Sequence, residues 1–325
     1  MKPIALLCLA LLSISARANG YAEREDVQAF IADMQTRHGL DAERLNALFG
    51  KARPIPFVLK AIAPPADPKI RSWQTYRLRF IEPRRIAAGL AFWHRHAATL
   101  AKAEAQTGVP AEIIVAIIGI ETFYGKHLGR FDTFAALATL AFDYPPRAEL
   151  FRRELEALLL LARDEDRAPD SYRSSYAGAI GLPQFLPSSI RAYAVDFDGN
   201  GKIELAASPA DAIGSVANFL KEHGWETAGP VAIPVKVGAG GTAHESLITA
   251  GILPQRRPAD MAAFGVDIPA DAPDAHAALI DFVTPDAPTE YWLGYQNFYV
   301  ITRYNRSSFY AMAVFQFAQT LKDRR

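Results

Sequence analysis

The pattern of apolar and polar positions divides the chain into a long helical region and a shorter region of strands. Residues 22 to 50 place Val27, Phe30, Ile31 and Met34, then Leu40, Leu45, Leu48 and Phe49, at helical spacing. Pro54, Pro56, Pro64, Pro65 and Pro68 break the next stretch into loops and a short helix. Residues 83 to 107 predict one long helix, with Ala, Leu and Phe92 on one side and Arg, His and Lys on the other. Gly108-Val109-Pro110 stops it. Pro110 suits the first turn of a new helix, Ala111 to Phe123, which Gly125 can end. Residues 132 to 143 and 147 to 164 predict two more helices, the second with Arg152, Arg153, Glu154 and Glu156 opposite a leucine-rich face. Ser171 to Pro187 is rich in Gly, Ser and Pro and reads as loop, and Asp211 to His223 as a helix ended by Gly224. The character changes after Gly229. Val231 to Val237, Ala277 to Val283 and Asn297 to Arg303 are strand-like, and Tyr310 to Leu321 returns to helix. The fold class is therefore mainly α (α+β), an α-helical body with a β-rich insert near its C-terminal end.

Composition narrows the function. The chain has 325 residues, 50% of them hydrophobic, enough for two or three packed units. Lys plus Arg and Asp plus Glu are both 35, so the basic excess expected of a nucleic-acid or anionic-membrane binder is missing. The N-terminus reads as an export signal, with Lys2, the apolar run Ile4 to Leu12, and the small-x-small site Ala16-Arg17-Ala18. Residues 1–18 are thus a signal peptide and the location a periplasm. The single cysteine, Cys8, lies inside that signal, so disulfides and cysteine catalysis are not expected in the mature chain. Leu6 and Leu7 before it do not suit a lipid anchor, and no later apolar run is long enough to span a bilayer.

The candidate chemistry sits at the end of the most apolar helix. Ile113 to Ile120 has no polar face, so that helix must be buried on all sides, and Glu121 follows directly. Lost hydration and the negative end of the helix dipole both raise the pKa of such a carboxyl. A carboxylic acid still protonated near neutral pH suits the cleavage of a glycosidic bond, whose leaving oxygen needs a proton. The residues leave a second reading open: a structural glutamate paired with Arg130 or Arg147. Ordinary glycosidases need two carboxylates. Asp132, Asp143 and Glu149 lie downstream, but none has an equally apolar setting.

Four motifs carry a resemblance to a known family. Gly119-Ile-Glu-Thr-Phe-Tyr-Gly125, Ala135-Ala-Leu-Ala-Thr-Leu-Ala-Phe-Asp-Tyr-Pro145, Tyr176-Ala-Gly-Ala-Ile-Gly-Leu-Pro-Gln-Phe-Leu-Pro-Ser-Ser189 and Asp211-Ala-Ile-Gly-Ser-Val-Ala-Asn-Phe-Leu220 resemble the membrane-bound lytic murein transglycosylase B family. Tyr76, Tyr291-Trp-Leu-Gly and Arg303-Tyr-Asn extend the likeness over nearly all of the mature chain. The resemblance implies a lysozyme-like helical core (family 3 of the lytic transglycosylases), with flanking α and small β-rich domains. We expect an α domain at 19–107 plus 304–325, the core at 108–228, and the β-rich domain at 229–303. It also implies the reaction: cleavage of the β-1,4 bond between N-acetylmuramic acid and N-acetylglucosamine without water. The muramyl C6 hydroxyl attacks C1 and leaves a 1,6-anhydromuramyl end, for cell-wall remodelling and turnover. One glutamate protonates the leaving oxygen and then takes the hydroxyl proton. The substrate's N-acetyl group replaces a second carboxylate.

By that resemblance Glu121 is the catalytic acid and then base. Ser175 and Gln184 contact the sugar near the cleaved bond with Phe185 beside them, and Tyr76, Tyr304, Asn305 and Tyr310 line the groove. Arg147 matches a groove arginine that meets acidic stem peptides, although Pro146 and Leu150 beside it depart from the family pattern. The expected partners are peptidoglycan glycan strands and other cell-wall enzymes, with no nucleic acid, and the protein is expected to be a monomer. The rival readings are a hydrolytic muramidase and a catalytically idle peptidoglycan-binding scaffold.

A last motif suggests a metal. Asp196-Phe-Asp-Gly-Asn-Gly-Lys-Ile203 matches the front of an EF-hand loop, with Asp196, Asp198 and Asn200 supplying oxygens, Gly201 making the turn and Lys202 offering its carbonyl. The bidentate glutamate expected at the twelfth position is Ala207, so the loop needs Asp211 to come round instead, and the family has an acidic ligand there. Structural Ca2+ is the expected cofactor, with no organic cofactor. An Asx-rich turn without an ion is the alternative.

Overall fold

The computed structural model describes residues 20–64, 71–238 and 241–325. The signal-peptide reading of residues 1–18, Cys8 and Pro68 lie outside them. Helices α1 (Glu25–His38) and α2 (Ala42–Lys51) form an antiparallel pair broken at Gly39, whose φ of 65° an L side chain rarely adopts. The short helix α3 (Pro56–Ile62) begins within the proline-rich stretch, whose Pro65 also lies outside the described residues, and α4 (Trp73–Leu78) comes after it. The helix expected over 83–107 is two helices, α5 (Pro83–Arg95) and α6 (Ala97–Thr107), divided at His96. The break lets α5 pack on the following helix and on the C-terminal one, while α6 turns onto a different neighbour, α11.

At the centre lies α7 (Ala111–Thr122). Ile113 to Ile118 are at most 2% exposed, as an all-round apolar helix requires. Burying each such isoleucine contributes roughly 1.5–3 kcal/mol. α8 (Thr133–Asp143) is capped by Asp132, and α9 (Ala148–Asp164) lays its leucines on it. Then come α10 (Pro187–Tyr193), α11 (Pro209–Glu222), the small helices α12 (Glu245–Thr249) and α13 (Pro258–Met261), and finally α14 (Gln296–Tyr304) and α15 (Ser308–Asp323). α5, α6, α11 and α15 surround α7.

Two short strands, β1 (Phe131–Asp132) and β2 (Arg173–Ser174), pair antiparallel. The main sheet has the order β4-β3-β6-β5, from β3 (Ala232–Val237), β4 (Val266–Asp267), β5 (Ala278–Phe282) and β6 (Glu290–Gly294), all antiparallel. Its side chains alternate as strand geometry requires. Ala232, Ile280, Phe282 and Trp292 face the large helical core, while Val235, Leu279 and Leu293 form a second, smaller core with Leu247 and Met261. Asn297 to Arg303, expected as a strand, lies in α14, whose Phe298, Val300 and Ile301 join the large core. An apolar run of this length suits either element, and packing against α11 and α15 decided it. Among the described residues no single helix is long and apolar enough to cross a membrane.

Candidate active site

Glu121 is the penultimate residue of α7. Its neighbours Ile117, Ile118 and Ile120 are buried, while Glu121 itself keeps part of its surface accessible. Burial pushes its carboxyl up to about 7 from the usual 4.5, and a hydrogen bond from Tyr310 pulls weakly the other way. Tyr310, at the start of α15, donates its hydroxyl proton to Glu121 Oε1 at 2.6 Å. The Tyr304 ring stacks on that of Tyr310 (6.4 Å, 12°), and its hydroxyl donates to the Pro183 carbonyl at 2.5 Å. Both phenols are held well above their ordinary range by burial first and then by the nearby Glu121. Tyr76 is raised by the same two causes in the same order. Its ring lies on Phe309 (5.6 Å), because α4 is tied to the end of β5 through Trp73 N–H and the Val283 carbonyl. Glu121 is thus surrounded by neutral phenols. Among the described residues neither Arg130 nor Arg147 pairs with it, so the structural ion-pair reading fails.

The floor of the site is a loop bolted to the end of α7. Thr122 Oγ1 donates to the Leu182 carbonyl at 3.1 Å and accepts from Gly125 N–H at 3.0 Å. Gln184 adopts φ +50°, and its side-chain amide donates to the Gly181 carbonyl (3.0 Å) and the Leu128 carbonyl (3.3 Å). Ser175 is held by its own turn: its N–H donates to the Ala179 carbonyl, its carbonyl accepts from Gly178 N–H, and its Oγ accepts from Ala179 N–H. Gly129 lies against the Ser174–Ser175 backbone so closely that a Cβ there would meet Ser174 O at 2.2 Å. Asn305, exposed, ends α14 directly after Tyr304. One expected groove residue is placed differently. Phe185 is 3% exposed, packed between Phe219 and Tyr304, so its ring braces Tyr304 from the core and leaves no face free for a sugar. Arg147 sits exposed beside α9 with its guanidinium over Phe151 at 5.2 Å, and among the described residues it makes no ion pair with Glu121.

The three downstream carboxylates are occupied elsewhere. Asp132 caps α8 by accepting from Ala135 N–H at 3.0 Å, Asp143 accepts from Tyr21 and Arg24, and exposed Glu149 lies 3.7 Å from Arg153. None is a second acid for Glu121.

The acidic loop before α11 is a different kind of site. Carboxylate oxygens of Asp196, Asp198 and Asp211 lie within 4.8 Å of one another. Asp196 accepts from Gly199, Asn200 and Gly201 N–H at 2.7–3.1 Å, and these bonds hold its carboxyl below the usual range. Asp211 is fully buried and accepts from Phe197 and Glu204 N–H, both at 2.9 Å. Asn200 Oδ1 accepts from Lys202 N–H at 2.9 Å, which folds the turn. Three convergent carboxylates with no cationic side chain paired to them, among the described residues, form an oxygen-rich set that fits a hard divalent cation.

Residues 22–319 match the family described as the transglycosylase SLT domain. The chain belongs to this transglycosylase family. It is 39% identical over 320 residues to membrane-bound lytic murein transglycosylase B of Escherichia coli (strain K12), covering 93% of this chain and 84% of that protein. The crystal structure of soluble lytic transglycosylase SltB1 from Pseudomonas aeruginosa superposes with a TM-score of 0.85 at 47% identity, over 92% of this chain and 99% of that one. The Escherichia coli lytic transglycosylase Slt35 in complex with calcium superposes with a TM-score of 0.83 at 39% identity, over 95% and 96%. The mainly α, lysozyme-like fold expected from the sequence is that of this transglycosylase family.

The sequence reading missed part of this transglycosylase site. Phe123, Tyr124 and Gly125, immediately after Glu121, all have positive φ (51°, 58° and 88°). Left-handed backbone costs an L residue about 1–2 kcal/mol, so two non-glycine residues in succession must be held there by their surroundings. A signal was present. Gly89 and Gly119 lie inside helices without ending them, which marks a close approach by something large.

Proposed function

We propose that this protein is a lytic murein transglycosylase in which Glu121 alone performs both proton transfers. The observation that carries the reading is the carboxyl of Glu121, largely desolvated, hydrogen-bonded among the described residues to one neutral phenol, and poised near pH 7. An acid of that strength gives a proton to the departing glycosidic oxygen and, as carboxylate, takes one from the muramyl C6 hydroxyl. Tyr310 steadies the anion between the two steps. The other candidate carboxylates are engaged in caps and ion pairs, which supports a mechanism that uses the substrate's own N-acetyl group. Tyr76, Tyr304, Ser175, Gln184 and Asn305 bind the sugars on this reading, and Arg147 a more distant, acidic part of the substrate.

The acidic loop holds calcium through Asp196, Asp198, Asn200, the Lys202 carbonyl and Asp211, and the ion's part is to pin the loop. The reading includes export to a periplasm and the division into an α domain, a lysozyme-like core and a β-rich domain at the boundaries given above. The separate small core behind β3, β5 and β6 supports that division. The test is digestion of purified murein with product analysis by mass spectrometry. Anhydromuramyl ends that vanish in Glu121→Gln are expected. Reducing ends would replace this reading with a hydrolytic muramidase, and unchanged solubilisation by Glu121→Gln would reject the assigned acid.

A further inference from the structure

We infer that Tyr124 is a positioning residue for Glu121, its ring acting as a wedge that ends α7 directly after the acid and keeps the carboxyl turned toward Tyr310. The inference rests on Glu121 being the acid. The Tyr124 ring enters between α5 and α7 at the two points where each helix carries a glycine. A Cβ on Gly89 would lie 2.5 Å from the Tyr124 hydroxyl oxygen, and one on Gly119 would lie 2.3 Å from it. The ring stacks on Phe92 of α5 (5.1 Å, 29°). Its hydroxyl is buried with no hydrogen-bond partner among the described residues, so apolar packing and not a polar contact holds it.

The consequence for the backbone is direct. Phe123 caps α7 in the left-handed conformation, with its N–H on the Gly119 carbonyl, and Tyr124 and Gly125 continue with positive φ. Such a turn reverses the chain within three residues, and the ring can reach back to Gly119 only because it does. Thr122 then locks the reversal by accepting from Gly125 N–H. Without the ring in its slot, the two non-glycine residues lose the packing that offsets their left-handed strain, and Glu121 is held less firmly toward Tyr310.

The groups that face the two residues are few. Tyr310 of α15, Tyr304 of α14 and Tyr76 of α4 surround Glu121. Arg85 of α5 lies near Tyr124, its guanidinium over the Phe123 ring at 5.0 Å and its Nε buried without a partner among the described residues. Burial and Tyr310, not Arg85, shift the Glu121 carboxyl.

The experiment compares Tyr124→Leu with Tyr124→Phe by carbon NMR titration of labelled glutamate side chains, with Glu121→Gln identifying the signal. kcat and KM on murein fragments are measured beside it. Tyr124→Phe keeps the wedge and is expected to match wild type. Tyr124→Leu empties the slot, so the Glu121 midpoint should fall from about 7 toward 4.5 as water reaches the carboxyl. kcat should fall roughly 10²-fold with KM changed less than about threefold. Tyr124→Met, whose unbranched chain leaves the slot without a rigid ring, repeats the test if the leucine variant does not fold. A folded leucine or methionine variant with an unchanged midpoint overturns the inference. So does a Tyr124→Phe variant as impaired as Tyr124→Leu, since that would assign the effect to the hydroxyl. Activity in Glu121→Gln would reject the acid assignment alone, because the carboxyl titration judges the wedge independently of turnover.

Discussion

The two acidic centres of this molecule treat carboxylates in opposite ways. At the end of α7 one glutamate is stripped of water, offered a single phenol, and driven toward the protonated form. In the loop before α11 three aspartates converge, and backbone N–H groups hold Asp196 in the charged form. The difference is not in the residue type but in the donors. A helix interior has no free N–H to offer at its C-terminal end, whereas a turn built on Asx residues and glycines aims several at one oxygen. The first arrangement makes a proton donor and the second a cation site.

The largest expected effect tests the first centre. Glu121→Gln keeps the shape and removes the acid, and turnover of murein fragments should fall about 10²–10⁴-fold. A smaller loss would place the proton donor elsewhere. The second centre should respond in stability instead. Asp211→Ala removes the buried acceptor of the Phe197 and Glu204 amides, which costs roughly 1–3 kcal/mol, and it should abolish any gain in thermal stability on adding calcium. Wild type should lose melting temperature in EDTA and regain it with calcium. An unchanged melting curve in both would remove the ion from the loop.

The pH dependence of stability sharpens the contrast. The Glu121 carboxyl stands at about 7 in the folded chain against 4.5 ordinarily. Between those values the folded state keeps a proton that the unfolded state has released. Its contribution is therefore present below pH 4.5 and lost as the pH rises through about 7, for a total of about 3 kcal/mol. Glu121→Gln should flatten this decline, measured by denaturant unfolding from pH 4 to 8. If it does not, the carboxyl is better hydrated than its surroundings indicate. The smallest effect belongs to Tyr310→Phe. The lost hydrogen bond had favoured the carboxylate, so the alkaline limb of the kcat profile should move up by about one unit, with a loss of roughly 1–3 kcal/mol in transition-state stabilisation. A downward move would mean that Tyr310 favours the acid form.

The sequence alone settled the features that depend on local chemistry. The unbroken apolar run Ile113 to Ile120 fixed a buried helix and, with it, the unusual setting of Glu121. Asp196, Asp198 and Gly201 at their spacing drew the acidic turn before any coordinates. Proline and glycine marked most helix ends for the same reason, since backbone restriction acts within a few residues.

Tertiary packing decided the rest. It split the helix expected over 83–107 at His96 and made a helix of the apolar stretch at 297–303, because α7 and α11 offered surfaces that periodicity cannot see. It brought Tyr310, 189 residues away, onto Glu121, turned the Phe185 ring into the core, and left Arg147 apart from the acid. It also wedged Tyr124 between two helical glycines. Propensity and spacing describe a residue's own stretch of chain, but a proton donor's strength is set by whatever distant side chains exclude water from it.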